Sequence, residues 1–516
     1  MASRIGEVRL LPLALAGVLL ALVAGPLVAV AVRATGFALG PADLAAVRFT
    51  LLQAALSAAV SVALAVPVAR ALARRRFAGR GALITLMGAP FLLPSVVAVL
   101  ALLAVFGRSG VVNDLGGALG LPALSIYGLH GVVLAHVFLN LPLAVRMILQ
   151  GWQAIPAERF RLAAALGFGP AEVARHLERP MLRAVLPGAA LVIFGICLTS
   201  FAVELVLGGG PRATTVELAI YQAVRFDFDL GRAALLAGVQ FVICAVGVAA
   251  AWGLVRAAGF GAGLDRGVSV PGPSGWRRCV DVAVIALAAG FLMVPLGAVL
   301  LRGVPGLLVV PDQVWAAALR SVAVAVVSTI LTVGAALVMA VAVAGRVRGA
   351  AWIELAAVLP LATSGLVLGT GLFVIVQAFV SPLRVALAVT VLVNVALSLP
   401  YVYRLILPEA RAVLADYGRL ADSLGLAGWA RWRWLILPRL ARPLGFGAGI
   451  AAALSMGDLG VITLFADADR ATLPLVVQQL TGAYRMEAAA GAALLLVGVS
   501  FALFWLCDWG GRRAGT

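Results

Sequence analysis

The sequence predicts an all-α polytopic membrane protein with about 12 transmembrane helices, arranged as two parallel six-helix repeats. Of its 516 residues, 63% are hydrophobic and only 12% are charged. Apolar runs of about 20 residues recur along the chain, and each is long enough to cross a bilayer as a helix. Two similar polar loops lie half a chain length apart, with Gly167 in the first and Gly425 in the second. That spacing indicates an internal duplication.

The first repeat is predicted within residues 1–256. Its spans lie at about 10–32, 49–72, 82–106, 126–150, 185–205 and 230–255. Pro90 and Pro94 fall inside the third span and are expected to kink it or to open its start.

Residues 257–278 have the glycine- and proline-rich composition of a flexible cytoplasmic linker. The second repeat, 279–516, then follows the same plan. Its spans lie at about 279–301, 314–344, 351–380, 383–407, 443–464 and 488–508. The eighth and ninth spans of the chain are too long for straight crossings, so we expect them to tilt, kink or extend beyond the bilayer.

The basic residues of the chain are distributed unequally between the two sides of the membrane. With these spans, 28 of the 39 arginines fall on inner loops and ends. This bias follows the positive-inside rule, so the net charge of +17 reflects topology and does not indicate a nucleic-acid partner. Six spans per repeat give both halves the same orientation. The N- and C-termini and both polar loops are therefore predicted to be cytoplasmic.

The basic residues also exclude ATP binding through a phosphate-binding loop on this chain. All 39 are arginine, and a chain without lysine cannot provide the lysine of a phosphate-binding loop. We therefore expect no nucleotide or other cofactor on this chain, and any ATPase must be a separate protein. No metal site is expected either, because the cysteines and histidines lack the spacing of metal ligands.

The two polar loops share a detailed pattern. The first loop, residues 151–184, contains R-L-A-A-A-L-G at 161–167, and the second loop, residues 408–442, contains R-L-A-D-S-L-G at 419–425. Each glycine is followed by a proline, Pro180 or Pro438, at the same spacing in both loops. The pattern predicts a short helix, a glycine turn with positive φ and a second helix that begins near the proline.

The leucines of each loop are four residues apart and so share one helical face: Leu162 with Leu166, and Leu420 with Leu424. The small residues between them permit the close approach of a partner; they include Ala163, Ala164 and Ala421.

This pattern resembles the E-A-A-x₃-G-x₉-I-x-L-P loop of the permease subunits of bacterial ABC importers. The resemblance implies a type I ABC importer permease fold, in which each loop forms a coupling helix that docks on an ATPase subunit. Gly167 and Gly425 match the family glycine, and the two prolines match the family proline. Arg161 and Arg419 stand where the family has glutamate. The implied partners are two copies of a cytoplasmic ABC ATPase, which binds the ATP and Mg²⁺, and a periplasmic solute-binding protein.

Three stretches resemble more specifically the fused permeases of thiamine and thiamine pyrophosphate importers. They are residues 127–142, 161–167 and 207–222. The resemblance implies import of thiamine and its phosphates across the bacterial inner membrane by alternating access, in a lipid environment and without enzymatic activity on this chain. A ferric iron ABC importer permease is the first alternative. A 12-span secondary transporter is a second, although such proteins usually carry coupling charges within their spans.

A translocation path needs polar groups that face the interior of the bundle. The candidates are Asn140, Glu204, Asn394, Tyr401 and Asp458. Two acids near the centre could attract a cationic solute. The alternative is that they cap helix ends or pair with outer arginines.

Overall fold

The computed structural model describes residues 2–34, 39–88, 93–208, 210, 213–254, 275–466 and 468–514. The described residues form helices and connecting turns, with no β-strand among them. Most of the predicted linker and Pro90 lie outside the described residues. Eleven of the described helices are long and apolar enough to cross a membrane, or up to 12 spans if a bent helix pair counts as one. The all-α polytopic fold is thus confirmed.

The helices that precede the predicted linker alternate between long spans and shorter segments. Their bounds are α1 Ala2–Arg33, α2 Pro41–Arg74, α3 Arg80–Leu86, α4 Ser95–Phe106, α5 Val111–Ala118, α6 Leu129–Gln153, α7 Ala157–Ala165, α8 Pro170–Val173, α9 Arg179–Leu198, α10 Ala202–Leu207, α11 Val216–Arg225 and α12 Leu230–Leu254. A π-helical turn, Ala174–Glu178, joins α8 to α9.

The helices that follow the predicted linker have a similar order. Their bounds are α13 Trp276–Gly306, α14 Asp312–Ala344, α15 Ala350–Val358, α16 Gly365–Val376, α17 Pro382–Ser423, α18 Gly428–Arg431, α19 Leu437–Met456, α20 Gly460–Phe465, α21 Leu473–Gly482 and α22 Met486–Ala514. A π-helical turn, Trp432–Ile436, joins α18 to α19. The 3₁₀ turns are Leu307–Val309, Leu359–Ala362 and Ala468–Arg470.

Several spans depart from a straight helix. The third is interrupted between α3 and α4, and Pro94 is the residue before α4, consistent with the expected opening at a proline. The ninth span bends by 101° between Ala350–Ala362 and Gly365–Val376. The eighth remains one helix of 33 residues, and the tenth runs for 42 residues into the second loop.

The chain packs as two compact units. Unit 1 contains residues 1–43, 216–245 and 303–516, and unit 2 contains residues 44–215 and 246–302. The first helix, α1, therefore belongs with helices of the second sequence repeat: it packs on α14, α15 and α16. The division of the sequence into repeats at residues 256 and 279 stays a prediction.

Small residues let the helices of unit 1 approach closely. Helix α19 packs along α22, and a Cβ added at Gly445 would lie 2.6 Å from the carbonyl oxygen of Cys507 and from Cα of Gly511. Such contacts are typical of membrane helices, where van der Waals packing replaces the hydrophobic driving force.

Unit 2 packs α6 against α9, and α10 against α4 and α6. Its helix α2 carries polar side chains that reach α6 and α9. Gln53 donates to the carbonyl oxygen of Cys197, and Ser57 is hydrogen-bonded to His136. These bonds satisfy polar groups that have little access to water.

Candidate functional site

The glycine turns of the two loops have the same hydrogen-bond geometry. After α7, the N–H of Gly167 donates to the carbonyl of Ala164 and that of Phe168 to Ala163, at 3.1 and 2.9 Å. After α17, Gly425 donates to Asp422 and Leu426 to Ala421, at the same two distances. This is the Schellman arrangement of a helix C-terminus.

Both glycines adopt the left-handed conformation that this arrangement requires. Their φ angles are 68° at Gly167 and 67° at Gly425. The predicted turns with positive φ are therefore confirmed. A Cβ at either glycine would meet no atom within 4 Å, so the need for glycine here is conformational and not steric.

The leucines that flank these turns are exposed. The exposed fractions are 61% for Leu162, 63% for Leu166, 54% for Leu420 and 65% for Leu424. Two further exposed apolar side chains of the second loop are Trp429 and Trp434. In contrast, Ala163 and Ala421 are buried against their own units, while Ala164 is exposed. Each loop therefore presents a leucine pair outward and a small residue inward.

The residues around the leucine pairs are arranged alike in both loops. Arg161 and Arg419 are exposed beside the leucines. Pro180 and Pro438 lie inside helices that begin ten residues earlier, at Pro170 and Gly428, because α8, the π-helical turn and α9 are continuous, as are α18, the turn and α19. The predicted helix start near each proline is therefore wrong. A π-helical turn precedes α9 and α19, at equivalent positions in the two loops. Such turns are rare and occur frequently at functional sites.

Of the path candidates, two lie close together in unit 2. Asn140 donates to the carbonyl oxygen of His136 at 2.9 Å. The Nε2 atom of His136 lies 3.6 Å from Oε1 of Glu204, and Ser200 donates to Oε2 of Glu204 at 2.8 Å. All of these residues except Ser200 are buried. The contacts of Glu204 among the described residues thus include a histidine and a serine.

In unit 1 the corresponding polar groups are mostly neutral. Asn394 and Ser328 both hydrogen-bond to the hydroxyl of Ser455, at 2.9 Å each. Asp458 lies two residues before α20 and accepts from the N–H of Gly460 at 3.2 Å. Tyr401 is 40% exposed on α17. The assignment of all five candidates to a translocation path stays a prediction.

A buried carboxyl group in unit 1 was not predicted from the sequence. Glu217 lies in α11, outside the apolar spans, with the polar side chains of Ser364 and Gln240 beside it. Burial raises the pKa of Glu217 to about 8. Ser364 stands at the bend of the ninth span, where its hydroxyl accepts from the N–H of Val367. One sequence feature could have indicated this polar site: the pair Thr363–Ser364, which precedes a glycine inside an apolar run.

A second group that was not predicted is Glu178, at the end of the π-helical turn of the first loop. Its carboxylate forms ion pairs with Arg70 and Arg74 at the end of α2. The contacts of His136 with Ser57 and Glu204 are likewise not predicted by the sequence. In each case the partners come from separate helices, so no local sequence pattern marks them.

Comparison with known proteins identifies the family, although no family model matches the chain. The thiamine transport system permease protein ThiP of Salmonella typhimurium is 40% identical over 483 residues, which cover 91% of this chain and 90% of the relative. ThiP of Brucella abortus is 37% identical over 511 residues, covering 94% and 92%.

A shorter relative matches part of the chain. The molybdenum transport system permease protein ModB of Azotobacter vinelandii is 32% identical over 198 residues, which cover 38% of this chain and 87% of ModB. The likeness to the ThiP proteins, in contrast, covers about nine-tenths of the chain. The chain therefore belongs to the family of thiamine transport system permease proteins.

Proposed function

We propose that this chain is the membrane-spanning permease of an ATP-driven importer that moves thiamine and its phosphates from a periplasmic binding protein to the cytoplasm. The observation that carries the proposal is the similarity to thiamine permeases over nine-tenths of the chain. The chain lies in the bacterial inner membrane, with both termini cytoplasmic, which is the orientation that the arginine bias favours.

The two loops are the proposed docking sites for two copies of a cytoplasmic ABC ATPase. Four exposed leucines support this assignment, because a leucine that becomes fully buried gains about 1.5–3 kcal/mol. The Schellman turns fix the direction of each leucine pair. ATP and Mg²⁺ belong to the ATPase, since this chain has no lysine for a phosphate-binding loop.

These docking contacts are proposed to drive alternating access. When the ATPase subunits close on ATP, they draw the two loops together, and each loop leads directly into a span, α9 or α19. The permease contributes a bistable helix bundle, whose two states are biased by the ATPase on one side and by the binding protein on the other. ATP hydrolysis then resets the inward-facing state.

Buried polar groups are proposed to line the path once it opens. Glu204 and Asp458 would provide negative charge for the thiazolium cation of thiamine, and Asn140, Asn394 and Tyr401 would provide hydrogen bonds. In the structure Glu204 is held by Ser200 and lies near His136, so its exposure to a solute requires a rearrangement of α6 or α10.

Uptake by intact cells tests the proposal. Cells that lack this chain are compared with cells in which it is restored, with labelled thiamine as the solute and ferric iron as the parallel test. We expect restored thiamine uptake that is lost when the ATPase is removed. ATPase-dependent iron uptake without thiamine uptake would show that thiamine is not the substrate. Uptake that persists without an ATPase would indicate a secondary transporter.

A further inference from the structure

The first loop contains a buried acidic group that holds two arginines. Oε1 of Glu178 lies 2.6 Å from Nη2 of Arg74, and Oε2 lies 2.9 Å from Nη2 of Arg70. The side chain of Glu178 is 6% exposed, against 11% for Arg74 and 37% for Arg70. Because the arginines are four residues apart on α2, both reach the carboxylate from one face of that helix. Each carboxylate oxygen is therefore held by a different arginine.

These groups occupy a joint between membrane helices. Glu178 is the last residue of the π-helical turn and immediately precedes α9, while both arginines lie in the last two turns of α2. The neighbouring Arg75 donates to Asp281 of α13 at 2.7 Å. Ion pairs thus connect the end of α2 to the first loop and to the start of α13, all within unit 2.

The equivalent joint in the second loop is apolar. Ile436 stands 258 positions after Glu178, and it likewise ends a π-helical turn before a membrane helix. Ile436 is buried in a hydrophobic cluster that includes Ala340 and Val343, near the end of α14. Helix α14 is the second span of its repeat, as α2 is of the first. The equivalent joint is therefore held by ion pairs in unit 2 and by apolar packing in unit 1.

The ion-paired joint of the first loop and the apolar joint of the second loop respond differently when the loop moves. Charge-assisted hydrogen bonds depend on direction, and removal of one partner leaves a buried charge uncompensated. Apolar contacts have no direction and tolerate swaps of similar volume. A displacement of the first loop that breaks these ion pairs leaves charge buried and uncompensated, so the end of α2 is expected to move with the loop.

We propose that Glu178 is a positioning residue that ties the first loop to α2 by ion pairs, where the second loop is tied to α14 by apolar packing, so that loss of this one charge uncouples the first docking site. This inference rests on the proposed function, in which the loops receive the ATPase. The first loop then drives α2 and α9 as one body, through the ion pairs with Arg70 and Arg74. The second loop acts on α19 and α14 through apolar packing.

The test uses the complete importer in proteoliposomes, with the ATPase and the binding protein present. The measured quantity is labelled thiamine transported per ATP hydrolysed, together with the amount of ATPase that copurifies with this chain. Glu178→Gln removes the charge and keeps the shape. Ile436→Leu is the matched change at the apolar joint. The double variant Arg74→Glu with Glu178→Arg restores an ion pair in which the acidic and the basic residue have exchanged positions.

We expect Glu178→Gln to retain the ATPase and to lower thiamine transported per ATP by about tenfold, within the usual range of coupling free energies. Ile436→Leu should leave the ratio unchanged, and the double variant should recover most of it. A role in folding alone would change the amount of assembled complex and not this ratio. An unchanged ratio in Glu178→Gln, or an equal loss in Ile436→Leu, would overturn the inference.

If Glu178→Gln does not assemble, Arg70→Gln provides the same test, because it leaves the closer pair with Arg74 in place. We expect it to lower the ratio by about threefold, and an unchanged ratio would again overturn the inference. Failure of the proposed function is distinguishable from both results. In that case the wild-type chain itself would not retain an ATPase, or would transport thiamine without one.

Discussion

The glycine of the second loop allows a sharp test of how the loop is shaped. Gly425 has a φ of 67°, and no atom would contact a Cβ there within 4 Å. Substitution by valine therefore costs conformational energy without a clash. A non-glycine residue in the left-handed region costs about 1–2 kcal/mol, and a β-branched residue lies at the upper end. If this cost disfavours the loop conformation that docks on the ATPase, the population of that conformation falls by about 5- to 30-fold.

The measurement is ATP-dependent thiamine uptake, with copurified ATPase as the second readout. We expect Gly425→Val to lower both by about 5- to 30-fold at limiting ATPase concentration. Gly425→Asn is the matched control, because asparagine enters the left-handed region more readily, and it should retain most of the uptake. Normal uptake and normal ATPase retention in the valine variant would refute the docking role of this turn.

Three further predictions concern the docking surface, the helix packing and a buried acid. Leu420→Asp, at an exposed position, should reduce the amount of copurified ATPase with little change in thermal stability. Leu420→Met should retain the ATPase. Equal retention of the ATPase by both variants would contradict an apolar docking surface. Gly445→Val should lower the free energy of unfolding by about 1–3 kcal/mol, because its Cβ would overlap α22. Gly498→Val, in open space on α22, is the control, and equal melting temperatures for the two variants would contradict the packing. Burial raises the pKa of Glu217 to about 8, so between the ordinary carboxyl pKa and that value the folded state retains a proton that the unfolded state has lost. The free energy of unfolding should therefore fall as the pH rises toward about 8 and then level off. Glu217→Gln should remove this slope in thermal unfolding between pH 6 and pH 9, and an unchanged slope would assign it to other groups.

The features that the sequence predicts well are local. Apolar runs mark the spans because a helix in lipid must satisfy its backbone internally and expose apolar side chains. The turns at Gly167 and Gly425 are marked by leucine spacing and by the only residue type that adopts positive φ freely. The duplication adds a second copy of the same signals, which is why the two loops could be aligned.

The features that the sequence does not predict depend on distant partners. Helix α1 packs with α14, α15 and α16, which lie in the second half of the chain, and nothing in its own composition selects them. The same holds for the ion pairs of Glu178 and for the His136–Glu204 contact, which are set by how the bundle brings separate helices together. The 101° bend of the ninth span was expected only as one of three ways to fit a long apolar run.

Reconstitution tests the central claim most directly. This chain, the ATPase and the binding protein are placed in proteoliposomes, and the entry of labelled thiamine is measured with ATP and with a non-hydrolysable analogue. The account predicts thiamine accumulation that requires ATP hydrolysis, the ATPase and the binding protein together. Accumulation by this chain alone, or ATP-driven accumulation of ferric iron in place of thiamine, would contradict it.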